Sequence, residues 1–258
     1  MGNTTINQNQ GHWLLAKMGK RVLRPGGLEL TRKMIGEMHI SPSDDIVEFA
    51  PGMGFTAELA LGHRPKSYVG IELNEEAAAR LKKKFTHSGF SIVNASAAAT
   101  GLPDQSKDKV YGEAMLTMQA DHRKLEIIRE AARILKPGGY YGIHELGLTP
   151  DDLPEEEKAE IQKGIAKAIK VNARPLTQKE WTALLEKEGF EIIAAYTNGM
   201  DLLKARRVVA DEGLFRSLRI GFNILTHPYE RKRILEMKNT FGKYEKYLNS
   251  VSLIARKK

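Results

Sequence analysis

From residue 45 onward, short apolar runs alternate with segments whose apolar residues recur every three or four positions. The runs at 46–49, 67–72, 90–95, 108–115 and 140–146 have the length of strands. The segments between them that open at Thr56, after Asn74 and at Arg123 have the spacing of helices. Asn74 is placed to cap its helix, and Glu75 and Glu76 suit the positive N-terminal end. "KPGG" at 136–139 stops the helix before the fifth run. Strands separated by helices of this length predict a parallel sheet with helices on both faces.

The two flanks read differently. Residues 12–23 mix apolar and basic side chains at helical spacing until "RPGG" at 24–27 breaks the pattern, and 28–38 places Leu30, Met34 and Met38 on one face. After the sheet pattern, 151–170 carries Ile161, Ile165 and Ile169 four residues apart. Thr177 and Glu180 form a capping box for the next helix, and Gly189 is its stop. Runs at 191–197 and 247–257 predict two more strands. The fifty residues between them are too many for a plain loop, and their pattern predicts two basic amphipathic helices, at 203–222 and 228–241. The expected organisation is one domain over 1–258. It comprises an N-terminal helical cap (1–40), a ligand-binding core (41–200), a basic helical excursion (201–246) and a last strand (247–258).

Composition changes this picture little. The chain has 258 residues, 41% apolar and 28% charged, enough for a large core in a soluble protein. No apolar stretch reaches the ~18 residues a bilayer span needs. The polar start, "MGNTTINQNQGHW", lacks the basic-then-apolar pattern of a secretory signal, so a cytoplasmic setting is expected. The absence of cysteine excludes disulfides, thiolate metal ligation and a cysteine nucleophile. The seven histidines are scattered, and no metal is expected. Charge is uneven: +4 over 1–40, −4 over 41–200 and +8 over 201–258. Basic flanks attract anionic ligands, nucleic acid or acidic membranes, or simply form a solvated surface on amphipathic helices.

Candidate chemistry centres on "DIVEFAPGMGFTAEL" at 45–59, where glycines join a strand to a helix. In an open parallel sheet, ligands bind beyond the carboxyl ends of the strands, and this first turn is the usual place. A triphosphate-binding loop would need Lys after Gly54, and Phe55 stands there. The dinucleotide spelling G-x-G-x-x-G/A fits Gly52 to Ala57, with Glu72 twenty residues on to hold ribose hydroxyls. Those residues alone leave a dinucleotide and S-adenosylmethionine both open. Glu48, at the end of the first strand, tips the choice: an acid there repels a pyrophosphate and attracts an ammonium.

With "GLPDQSKDKVY" at 101–111, "ILKPGGYYGI" at 134–143 and a terminal strand after a long excursion, the chain resembles the class I S-adenosylmethionine-dependent methyltransferases. The branch is that similar to ubiquinone/menaquinone-biosynthesis methyltransferases. The likeness is good over about 45–200 and covers the flanks only in layout. It implies a Rossmann-like α/β fold, with a seven-stranded mostly parallel sheet, helices on both faces and helical lids. "E-F-A-P-G-M-G" stands for the family's acid-x-G-x-G-x-G, with Ala50 in place of the first glycine. The resemblance implies that Ala50, Gly52, Met53 and Gly54 pack on the methionine moiety and that Glu48 helps hold its amino group. Glu72 would accept hydrogen bonds from both ribose hydroxyls, and Leu73 would flank the adenine. The family's adenine-binding Asp after the third strand is absent; Ser96, helped by the Ala97 backbone NH, takes its place.

Methyl transfer needs an oriented acceptor and, for some acceptors, a proton removed. Glu113, His144 and Glu145 lie at the ends of the fourth and fifth predicted strands. Glu113 is a candidate to orient the acceptor, and His144 a candidate base. Met115 and Met118 are candidates for an apolar pocket, and His12 and Trp13 for a lid over the cofactor. The expected acceptor is a small molecule, anionic or amphiphilic. An RNA acceptor gripped by the basic flanks is the alternative, and 7% aromatics with no recognisable RNA module argue against it. Two other readings stand beside these: an NAD(P)-dependent oxidoreductase, and a cofactor-binding regulatory protein without turnover.

Overall fold

The computed structural model describes residues 10–86 and 88–258; the polar start at 1–9 lies outside them. The sheet is built from β1 (Asp45–Phe49), β2 (Ser67–Ile71), β3 (Phe90–Val93), β4 (Lys107–Glu113), β5 (Leu135–Leu148), β6 (Leu176–Thr177), β7 (Phe190–Gly199) and β8 (Leu248–Lys257). Its order is β3-β2-β1-β4-β5-β8-β7. β1 to β5 run parallel, while β8 pairs antiparallel with both β5 and β7. The two residues of β6 pair with the end of β5 and add a short strand to the seven expected.

Alternation along the strands sorts side chains between two layers. Val47, Phe49, Val110, Ile143 and Leu253 pack on one face against α5 (Asp121–Ile134) and α7 (Gln178–Lys187). Ile46, Tyr68, Tyr111 and Ile254 pack on the other, against α2 (Gly27–Glu37), α3 (Phe55–Leu61) and α4 (Glu75–Lys84). The local signals act as expected: Asn74 Oδ1 caps α4 through the Ala77 NH, and Thr177 and Glu180 close the capping box of α7.

A third apolar cluster lies beyond the ends of β5 and β8. Leu146, Leu148 and Leu248 meet α1 (Gly11–Lys17), α6 (Glu155–Ile169) and α10 (Pro228–Lys243) there. The first helix is shorter than the 12–23 pattern suggests, because Met18 and Gly19 end it. The late excursion holds three helices where two were expected. The break falls at Gly213, between α8 (Ala205–Glu212) and α9 (Leu214–Thr226).

Candidate active site

The turn after β1 is held in an unusual backbone shape. Ala50, Gly52 and Gly54 have φ of +52°, +55° and +72°. Two of these left-handed positions are glycines, which accept them without steric cost. Ala50 occupies the third, a conformation that disfavours a side chain by about 1–2 kcal/mol. Ala114, directly after β4, has φ +51° and likewise lines the cavity described below. Strained non-glycine residues of this kind cluster at functional sites.

Glu72 is buried at the end of β2, and both of its carboxylate oxygens meet backbone. Oε2 accepts from the Gly52 NH at 3.0 Å and Oε1 from the Asn74 NH at 2.9 Å. One carboxylate therefore ties the glycine turn to the start of α4. Burial raises its pKa above the ordinary value, against the pull of these backbone bonds. Asn94 Nδ2 donates to the carbonyls of Glu72 and Leu73 and fixes the same corner from β3.

The acids at the ends of β1 and β4 have opposite surroundings. Glu48 shares the layer of Ile46, so it points toward α2 and α3. Its Oε2 accepts from the hydroxyls of Tyr68 at 2.6 Å and Tyr111 at 2.9 Å. Burial pushes its pKa to about 7, against those two bonds. Glu113 is equally buried but surrounded by donors. Its carboxylate accepts from Thr31 Oγ1 at 2.6 Å, Thr56 Oγ1 at 2.5 Å and His144 Nδ1 at 2.7 Å, and Arg24 Nε lies 3.2 Å away. Burial alone would raise this carboxyl; the Arg24 charge and the bonds from His144 and Thr31 outweigh it and hold it at about 2.

Arg24 is absent from the expected site. "RPGG" reads as a helix break, yet that break carries the arginine into the interior. Its Nε donates to Thr31 Oγ1 at 2.7 Å, its guanidinium lies over the Phe55 ring, and its buried Nη2 has no partner among the described residues. A buried arginine almost always has a partner, so the orphan nitrogen is an informative feature. The signal available in the sequence was an arginine fixed directly before a Pro-Gly-Gly turn. Glu145, next to His144, faces the opposite side of β5. It accepts from the backbone NH groups of Met115, Leu116 and Thr117 and from Thr117 Oγ1, which pins the loop after β4.

These elements enclose a cavity of about 470 Å³. Ala50, Gly52, Met53, Glu72, Leu73 and Asn74 form one end. Arg24 and Glu113 lie on its wall, and His12 and Trp13 of α1 line it too, their rings 5.1 Å apart. Apolar side chains make up much of the remainder, among them Leu15, Leu146, Ile165, Leu202, Met237 and Phe241, with Gln10, Arg21, Thr117 and Gln119 as polar members. Met115 and Met118 also line it. Glu48, Gly54, Ser96, Ala97 and His144 do not. Gly54 lies where a Cβ would collide with Leu81 and Phe85, so it serves close packing of the turn on α4. Ser96 Oγ is engaged by Arg123 at 2.9 Å and by the Ala98 NH. His144 is fully buried, and its Nε2 has no partner among the described residues.

The comparisons with known proteins agree with this geometry. Residues 47–143 match a methyltransferase domain family. An uncharacterized protein of Haemophilus influenzae is 31% identical over 252 residues, covering 96% of this chain and 98% of that protein. A fatty-acid O-methyltransferase of Mycolicibacterium smegmatis is 26% identical over 164 residues, 62% of this chain and 52% of that protein. Among solved structures, phosphoethanolamine N-methyltransferase 2 of Haemonchus contortus in complex with S-adenosyl-L-methionine shares the fold. Its TM-score is 0.71 at 15% identity, over 97% of this chain and 58% of that one. These likenesses support S-adenosylmethionine, over a dinucleotide, as the cofactor. The sheet order, the turn with the buried Glu72 behind it and the family match together make this chain a class I S-adenosylmethionine-dependent methyltransferase.

Proposed function

We propose that the chain methylates an apolar or amphiphilic small molecule seated in the inner part of the cavity. One observation carries this reading: a single cavity runs from the glycine turn and Glu72 to a chamber walled by Leu146, Ile165, Met237 and Phe241. Burial of an acceptor's apolar body against those side chains is worth about 25 cal/mol per Å². A nucleic-acid acceptor would call for a row of cations along the chamber wall, where Leu146, Ile165 and Met237 stand instead. The Mycolicibacterium relative is named for an apolar acceptor, which agrees.

The residues present fit the cofactor. Glu72 would receive the ribose hydroxyls, and the apolar surfaces of Met53 and Leu73, both exposed at the cavity end, would flank the adenine. The orphan Nη2 of Arg24 suits the methionine carboxylate, and His12 and Trp13 would cover it. When bound, the cofactor supplies an activated methyl group on a sulfonium. Ser96 and Ala97, off the cavity wall, receive no role in this assignment.

Glu113 and His144 take positioning roles. A carboxyl held at about 2 stays ionised at neutral pH and is a poor proton acceptor. Glu113 therefore contributes a fixed negative charge that orients Arg24 and favours cationic charge nearby. His144 holds that carboxylate from behind. Glu48, bonded to two tyrosines in the α2/α3 layer, braces β1 against β2 and β4.

The test is calorimetric titration with S-adenosylmethionine and, in parallel, NADH, followed by turnover with acceptors of graded apolar length. S-adenosylmethionine binds and NADH does not, and kcat/KM rises with apolar length. A flat dependence on length would remove the apolar chamber from the argument, and binding of NADH would remove the cofactor.

A further inference from the structure

The outer face of α9 is built for something the cavity does not use. Phe215, Leu218, Phe222 and Leu225 recur at i, i+3, i+7 and i+10, a single stripe along the helix. They are 88%, 63%, 66% and 66% exposed. The opposite face is seated: Ile220 is buried, Asn223 Nδ2 donates to the Met18 carbonyl at 3.0 Å, and Ser217 Oγ lies 3.3 Å from the Val208 carbonyl of α8. The stripe is therefore a fixed surface feature. A run of large apolar side chains held in water marks an interaction face.

The charges around it select the partner. α9 has no acidic residue, and Arg219 borders the stripe. Arg206 of α8 and Arg231 and Lys232 of α10 are exposed on the flanking helices. The acids of α8 and the start of α10 are turned inward, and the exposed Glu236 of α10 is paired with Arg233 at 2.9 Å. Asp211 accepts from the Leu28 NH, Glu212 accepts from the Arg21 and Val22 NH groups, and Glu230 holds Lys17 at 2.7 Å. The outer surface thus pairs an apolar stripe with cations. A second copy docked through the same stripe would bring like charges together. An anionic bilayer surface neutralises the cations and receives the apolar side chains at the headgroup boundary. No helix among the described residues is long and apolar enough to cross a membrane, which fits a helix lying in the interface.

We propose that α9 docks the protein on an anionic lipid bilayer through Phe215, Leu218, Phe222 and Leu225, with Arg219 and the basic residues of α8 and α10 meeting the headgroups. This proposal stands apart from the acceptor assignment, since it is read without turnover.

The experiment is flotation of the full chain with phosphatidylcholine vesicles, with and without phosphatidylglycerol, at low and high salt. Wild type floats with the anionic vesicles, and salt weakens the association. Phe215→Asp/Phe222→Asp weakens it at least about tenfold, and Arg219→Glu/Lys232→Glu removes the preference for anionic lipid. Melting temperature and S-adenosylmethionine affinity of the double-aspartate variant serve as the folding control, because neither side chain lines the cavity. Failure of wild type to float would overturn the proposal, as would equal flotation of the double-aspartate variant. Concentration-dependent dimerisation of wild type that the same variant abolishes, without vesicle binding, would give the stripe to a second copy.

Discussion

The two ends of the cavity are made by different physics. At the strand-end side, from Ala50 to Asn74 and across to Glu113, almost every buried polar atom has a named partner, and many partners are backbone. At the lid side, α1, α6 and α10 meet over the cavity through apolar contact, and the hydrogen bonds between them, Lys17 to Glu230, Arg233 to the Ala168 carbonyl and Lys243 to Glu160, lie off its wall. Hydrogen-bonded corners fix position within tenths of an ångström, whereas apolar contact fixes volume and tolerates exchange of shape. A cofactor with one structure suits the first kind of wall. The second kind can be recut for a different acceptor without disturbing the first.

Removing the buried charge beneath the polar end has the largest expected effect. Glu113→Ala leaves Arg24 buried without its carboxylate and destabilises the fold by about 3–5 kcal/mol in chemical denaturation. Adding Arg24→Ala recovers part of that loss; strictly additive losses would mean that the two groups act independently. The apolar end responds next. Ile165→Ala removes a fully buried lid side chain and costs about 2–4 kcal/mol of stability while S-adenosylmethionine affinity changes little. An equal loss of cofactor affinity would erase the division between the two ends. Glu72→Ala reverses the pattern: cofactor binding weakens by about 1–3 kcal/mol in titration calorimetry.

A last effect, read from pH, separates the two acids. The carboxyl of Glu48 is raised to about 7 in the fold, so the folded state holds a proton that the unfolded state has lost. Its contribution to stability therefore falls as pH rises from the ordinary carboxylate range toward 7. Glu48→Gln lacks this titration, and its stability relative to wild type should improve by about 2–3 kcal/mol between pH 5 and 8. A constant gap across that range would contradict the raised value.

The same division explains what could be read from the chain alone. Turn 50–54, Glu72, the cap at Asn74 and the capping box at Thr177 are local patterns, and local patterns are visible in sequence. Strand alternation also carried the fact that decides Glu48: two residues after Ile46, it shares that residue's face and turns away from the cavity. Arg24 was invisible because its partner, Glu113, lies 89 residues away. The extra break at Gly213 was missed because the apolar spacing continues through it. The chamber wall draws on β5, α6 and α10, so no window of sequence contains it.

The position of β8 has a consequence for how the molecule is made. In the sheet it lies between β5 and β7, yet it is synthesised after both. Until residues 248–257 leave the ribosome, β5 presents an open hydrogen-bonding edge and β7 has no strand to pair with. A nascent chain held at that stage carries two unpaired edges, the kind of surface that recruits other chains. Closing the sheet is thus a late event that inserts one strand between two others, and it is the step at which this protein depends most on being kept apart from its neighbours.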